Sequence, residues 1–217
     1  MRRPLHIVIA LFVLTGLTLP SVRADYAPDD ASSSSTEARR QSDRPIRELA
    51  VAPEELGDNW VVIPESVEEI DIDQLGRAPR PTEPLALFQA RYRNEADYEP
   101  GREVAPLVAE FRDERQAAIA LRDYLDFIVM GNQRPDVRWR WQAESVDAGD
   151  QGVRFAYSLR GDVTAGYLFR VDTYLGGVLV TGREADEEEL LAHITDVAGW
   201  QEARLTTEST LAHLSGR

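Results

Sequence analysis

From Leu85 to Val180 the apolar residues recur largely at every second position, and one well-capped helical segment interrupts them. A period of two sends alternate side chains to opposite faces of a strand, so this stretch calls for a sheet with a helix inserted in it. Over residues 85–94, Ala86, Phe88, Ala90 and Tyr92 share one face, and Gln89, Arg91 and Arg93 share the other. A Glu99-Pro100-Gly101-Arg102 turn leads to a second strand in which Ala105, Leu107, Ala109 and Phe111 alternate inward. Pro106 lies within that strand and argues for a sheet edge or an irregular start. Three further strands, 137–144, 153–160 and 165–173, carry the inward sets Val137/Trp139/Trp141, Val153/Phe155/Tyr157 and Tyr167/Phe169/Val171. Gly149, Gly152 and Gly161-Asp162 mark the turns between them, and Gly176-Gly177 suits a hairpin into Val178-Leu179-Val180. Upstream, Asn59–Ile63 is a short strand stopped by Pro64, and a polar, proline-rich loop runs on to Pro84.

The inserted helix has clear ends. Asp113 is a good N-cap with Gln116 three residues on, a capping-box spacing. Ala117, Leu121, Tyr124, Leu125 and Ile128 form its apolar stripe, and Gly131 closes it. A second helix starts at Asp186, with Glu189 at the matching position, and buries Leu190, Leu191, Ile194 and Val197. Trp60 reads as a core anchor and Trp200 as a cap on the core rim. Hairpin-length connections make this an α+β fold: a mostly antiparallel sheet of about six strands packed with two main helices. Two helices favour two layers with one sheet face open, whereas a three-layer sandwich would cover both.

The chain divides into four parts. Residues 1–24 have a positive start (Arg2, Arg3), an apolar run from Leu5 to Leu19 and a Val22-Arg23-Ala24 end, the pattern of a secretory signal peptide. The run of about 15 residues is short of the roughly 20 that span a bilayer, so Asp25 is the expected mature N-terminus of a secreted or cell-envelope protein. An uncleaved N-terminal membrane anchor is the alternative. Residues 25–45, with Ser32-Ser33-Ser34-Ser35, read as a disordered leader. Residues 46–204 make one globular domain, and 205–217 a C-terminal tail or short helix.

Composition removes much of the catalytic inventory. There is no cysteine, which excludes disulfides, thiol nucleophiles and thiolate metal sites, so the core alone holds the fold. All 24 basic residues are arginine, which excludes lysine Schiff bases. Of three histidines, His6 lies in the signal, leaving His193 and His213, too few for a multi-histidine metal centre. Asp71-x-Asp73 and Asp147-x-x-Asp150 fall short of a calcium loop. No G-x-S-x-G, P-loop or G-x-G-x-x-G occurs, and no cofactor is expected. Removing residues 1–24 takes 3 arginines from the 24 and none of the 38 acids, leaving a formal charge of 21 − 38 = −17. Such a surface repels nucleic acid and anionic bilayers.

Against that charge, the strand segments are rich in arginine. Arg91, Arg93, Arg138, Arg140, Arg154, Arg160 and Arg170 fall across residues 85–94, 137–144, 153–160 and 167–172, beside only Glu144 and Asp172 as acids. Alternation puts the arginines largely opposite the apolar face and puts Trp139 and Trp141 together on it. Guanidinium forks suit carboxylate, sulfate or phosphate. Arg91, Arg93, Arg138, Arg140, Arg154 and Arg170 are therefore the candidate ligand-binding residues, toward an anionic small molecule, a glycan or an envelope protein. Pairing with the protein's own acids is the competing account.

Leu56-Gly57-x-x-Trp60, the Asp113-started helix ending at Gly131, Gly161-Asp162 leading into Phe169-Arg170-Val171, and the glycine turn before Val178-Leu179-Val180 with a terminal helix complete a further pattern. It resembles bacterial extracytoplasmic sensor-like and lipoprotein domains of PsbP-like fold, over about residues 48–204. The resemblance implies an α/β/α sandwich and a non-enzymatic binding, sensing or accessory role. The lipoproteins of that group carry an N-terminal cysteine that is missing here, which argues against lipid anchoring. The expected function is thus an exported binding or accessory domain of the cell envelope. The alternatives are a carboxylate-dependent envelope hydrolase, with two acids about 5–9.5 Å apart in a cleft, and a structural interaction module.

Overall fold

The computed structural model describes residues 44–71, 83–96, 102–183 and 187–215. The expected signal, nearly all of the expected leader, the Glu99–Gly101 part of the turn and the Asp186 cap lie outside the described residues.

The strands are β1 (Trp60–Val62), β2 (Glu68–Asp71), which lies in the stretch expected as a loop, β3 (Ala86–Gln89) and β4 (Tyr92–Asn94), expected as one strand, β5 (Glu103–Glu110), β6 (Val137–Val146), β7 (Gln151–Leu159), β8 (Asp162–Val171) and β9 (Tyr174–Arg183). They form one sheet of nine strands, more than the six expected, in the order β1-β4-β5-β9-β8-β7-β6, with β3 also on β5 and β2 on β3. Every pairing is antiparallel. The helices are a short α1 (Pro53–Leu56), α2 (Glu114–Gly131) and α3 (Glu187–Leu214). The class is α+β.

The sheet is covered on both faces, so the arrangement has three layers and not the two that the helix count suggests. On one face, Tyr167, Phe169, Val178, Val180 and Val108 form a single cluster with Leu190, Ile194, Val197 and Leu205 of α3. On the other, Leu107, Phe155, Leu168 and Leu175 are buried, and α2, whose Ala117, Leu121, Tyr124 and Ile128 are buried, packs on β8 and β9. The Asp113 carboxylate caps α2 by accepting the Gln116 N–H at 2.8 Å. The third helix is 28 residues long and runs through most of the residues expected as a tail or short helix, because Leu205, Glu208, Ser209 and Ala212 continue its buried side. Trp200 points outward, 45% exposed, and does not cap the core rim.

Three further expectations change in the structure. Pro106 lies in an interior strand, not at an edge. Its carbonyl receives the Ala90 N–H at 3.4 Å, and N–H and C=O of one strand residue point to the same side. The missing donor therefore falls at the junction where β5 changes partner from β4 to β3. The β8–β9 turn is at Asp172-Thr173, with Val171 opposite Tyr174. Gly176 and Gly177 lie inside β9, where a Cβ would come within 2.5 Å of the Phe169 ring and 2.8 Å of Leu168. Those glycines are there for close packing and not for a turn.

Trp139 and Trp141 do not share a face. Trp139 is opposite Tyr157 but Trp141 is opposite Ala156, so one extra residue bulges out of β6 between them. Trp139 meets Tyr157 with ring centroids 5.1 Å apart, while Trp141 packs against the α3-side cluster.

Candidate functional site

The same pairing registers distribute the arginines over both sheet faces. Arg154 is opposite Tyr167 and Arg170 is opposite Gln151, three residues apart on β8 and hence on opposite sides. Most are also engaged within the molecule. Arg91 lies 3.7 Å from Glu103 and Arg140 2.5 Å from Glu187. Arg154 binds Glu144 at 2.9 Å, and its guanidinium lies 4.1 Å above the Trp141 ring. The Glu144 hydrogen bond holds the Arg154 guanidinium above its usual pKa. Arg160 is 3.6 Å from Asp136. Arg93, opposite Val61, and Arg138, opposite Ser158, are exposed. Of the six candidates, Arg170 lines a cleft.

That cleft opens where the β8–β9 turn, the turn before β7, the first turn of α2 and the C-terminal half of α3 converge. It encloses about 530 Å³, and its walls include Glu114, Asp150, Arg170, Asp172, Glu202, Thr206, Ser209, Thr210 and His213. Arg170 is its most enclosed basic group, with the side chain 14% exposed. The guanidinium is 3.2 Å from Asp150 Oδ2 and 3.4 Å from Glu114 Oε2, and donates to the Asp172 carbonyl at 3.0 Å.

The backbone holds these groups at their positions. Asp172 has φ 53°, the left-handed region that a short Asp side chain tolerates in a tight turn. Its N–H donates to Asp150 Oδ2 at 2.7 Å, tying the two turns together. Gly149 also has a positive φ, 57°, and a Cβ there would lie 2.2 Å from the Arg170 carbonyl. With glycine in place, its N–H reaches Glu202 Oε1 at 2.5 Å and so ties the turn to α3. Deeper in, Asp172 Oδ2 accepts the Ser209 hydroxyl at 3.0 Å and lies 3.0 Å from His213 Nε2.

Serine, histidine and aspartate thus meet, but with the carboxylate in the middle. Activation of a serine needs the imidazole between the hydroxyl and the acid, and here the hydroxyl proton is directed at Asp172. His193, the other histidine of the domain, lies away from any serine in the contacts described. It stacks on Trp60 at 6.1 Å with planes 17° apart. Burial, and secondarily the Arg102 charge, lowers its pKa below the usual 6.5, against the opposing pull of Asp196 and Glu189. Among the described residues, no three histidine or acidic side chains are grouped as metal ligands.

Sequence reasoning singled out Arg170 but missed most of its neighbours. Ser209 and His213 fall in the residues expected as a tail or short helix, Asp150 in an expected turn and Asp172 at the end of an expected strand. The useful signal was the i, i+4 spacing of Glu202, Thr206, Thr210 and of Ser209, His213, which places each set along one line of a continuous helix.

The fold and the site together describe an α/β/α domain with one antiparallel sheet and a polar cleft at the end of its central hairpin. No protein-family model matches this chain, and neither does any curated protein. Among solved structures, the chain is similar to the extracellular domain of PknH from Mycobacterium tuberculosis. The TM-score is 0.49 at 11% identity, covering 78% of this chain and 97% of that one. No described helix is long and apolar enough to cross a membrane.

Proposed function

We propose that this chain is an exported, non-catalytic binding or sensing domain of the cell envelope, and that its ligand site is the cleft beside the β8–β9 turn. Export rests on the signal pattern of residues 1–24. The cleft carries the rest. Its volume of about 530 Å³ falls in the range of roughly 300–1,000 Å³ found for small-ligand sites. Its walls come from four separate elements: hydrogen bonds lock the two turns and α3 to one another, and Arg170 reaches Glu114 of α2 at 3.4 Å, so the site is pre-formed. The polar walls select a charged or strongly hydrogen-bonding ligand, and the Ser209–Asp172–His213 order favours holding a ligand over attacking it.

The test is a thermal-shift screen of the full-length protein against small cations, anions and neutral sugars, run with two variants. Thr206→Trp, at an exposed position on the cleft wall, fills the cleft. Arg138→Glu/Arg140→Glu reverses the charge of β6 and leaves the cleft untouched. A stabilising compound whose effect is lost in Thr206→Trp and kept in the β6 variant supports the reading. The reverse pattern moves the ligand surface to the arginines of β6, and turnover of any hit by the protein overturns the non-catalytic assignment.

A further inference from the structure

The second half of α3 turns an uncharged stripe to the outside. At about 100° per residue, Trp200, Ala203, Thr207, Leu211 and Leu214 fall within an arc of about 80°, facing away from the buried side that carries Leu205, Glu208 and Ala212. All five are exposed, Trp200 by 45%, Leu211 by 52% and Leu214 by 81%. We propose that this stripe is the contact between two copies of the chain, packed as an antiparallel pair of α3 helices about a two-fold axis at Thr207.

Spacing is the first reason for a second copy. Trp200 and Leu214 each lie seven residues from Thr207, and Ala203 and Leu211 each lie four. In an antiparallel pair, residues equidistant from the axis meet. Trp200 of one copy therefore faces Leu214 of the other, and the small Ala203 faces Leu211, each pairing occurring twice. That self-complementarity is what an isologous two-fold contact requires.

Charge is the second reason. The full chain carries −14, so two copies repel wherever acidic surfaces meet. From Trp200 to Leu214 every exposed side chain is uncharged with His213 neutral. The charged groups of this stretch are turned to partners: Glu202 accepts the Gly149 N–H, Arg204 pairs with Glu55, and Glu208 is buried beside Arg44. A contact depleted in charge and anchored by tryptophan has the composition of an interface centre.

The third reason is where the stripe stops. Continued toward the start of α3, the same line meets Asp196 and Glu189. An axis moved that way sets acids of the two copies against each other, so the charge pattern holds the axis at Thr207. The stripe is about 21 Å long. That is short for a permanent dimer, and it sets the dissociation constant on the order of 10–100 µM. Thr206, Ser209 and His213 of the cleft lie about 100–160° round the helix from Thr207, so this contact is separate from the cleft.

Sedimentation equilibrium of the full-length protein tests the proposal. The apparent mass should rise from 24.3 kDa toward twice that value between about 1 µM and 1 mM protein. Added salt should strengthen the association by screening the repulsion. Trp200→Arg and Leu214→Glu should each weaken it roughly thirtyfold or more, because the two-fold removes the same pairing twice. Met130→Glu adds the same charge as Leu214→Glu at another exposed apolar side chain, 70% exposed on α2, and should stay within about twofold of wild type. The decisive sample mixes the Trp200→Arg protein with the Leu214→Glu protein. The mixture should form dimers that neither variant forms alone, since one end of the contact then joins opposite charges and the other keeps its Trp200–Leu214 pairing. A mixture that stays monomeric would overturn the inference, as would a monomeric wild type, association indifferent to both substitutions, or association that salt weakens. Phosphatidylcholine vesicles bound by a monomeric wild type and released by Leu214→Glu would give the stripe to a lipid surface and overturn the second copy as its occupant. Circular dichroism of each variant separates these outcomes from misfolding.

Discussion

Replacing Gln201 by methionine isolates the hydrogen bonds that pin the long helix to the sheet. Gln201 is fully buried in the middle of α3. Its amide nitrogen donates to the carbonyls of Leu107 at 2.8 Å and Gly177 at 2.9 Å, paired residues on β5 and β9. Its oxygen accepts the Val51 N–H at 3.4 Å. Methionine is an unbranched chain of similar length and similar helix propensity, so no cavity opens and the loss is confined to these three bonds. Two good neutral bonds at about 1 kcal/mol each and a weaker third give a loss of about 2–3 kcal/mol. At about 2–4 °C per kcal/mol for a chain of this size, Tm should fall by about 4–12 °C. Urea unfolding followed by tryptophan fluorescence should show a lower midpoint at unchanged slope. A Gln201→Met protein within about 0.5 kcal/mol of wild type would refute the claim that these bonds secure the α3 layer.

Three other outcomes are expected. Because His193 has a folded-state pKa below 6.5, the unfolded chain binds its proton first as pH falls, so stability decreases from pH 7 toward pH 5. His193→Asn should remove that part of the slope, and parallel urea midpoints for the two proteins would contradict it. Gly149→Ala forces a Cβ to 2.2 Å from the Arg170 carbonyl at a positive φ. It should cost about 2 kcal/mol or more and disturb the cleft NMR signals of Asp150 and Glu202 first; an unchanged spectrum would count against the cleft geometry. Intact mass from soluble exported fractions of the native host should match a chain beginning at Asp25; a full-length mass in the membrane fraction would make residues 1–24 an anchor.

What could be read from the chain alone were the features that depend on neighbours in sequence. The Asp113 cap lies three residues from its partner Gln116 N–H, and the alternation that makes β3, β5, β7 and β8 is a local period, so helix α2, those strands and the α+β class were legible, whereas β2 lies in a stretch that reads as a loop. The secretory-signal pattern expected in residues 1–24 is likewise linear. Features that depend on pairing were not. The extra residue between Trp139 and Trp141, the first of two register shifts in β6, reverses Trp141 relative to Trp139, and nothing in Val137–Glu144 announces it, because a bulge is a count of residues against the partner strand. Gly176-Gly177 has the composition of a turn, yet the Phe169 and Leu168 side chains opposite require it inside a strand. The cleft is further still from the sequence. Glu114, Asp150, Asp172 and Ser209 come from four elements spread along the chain, and only the covering of one sheet face by α2 and the other by α3 brings their ends together. Sequence thus determined the elements and their buried sides, since propensity, capping and period act over a few residues. Tertiary packing decided which charges meet, since ion pairs and clefts form between residues whose separation in space bears no relation to their separation in the chain.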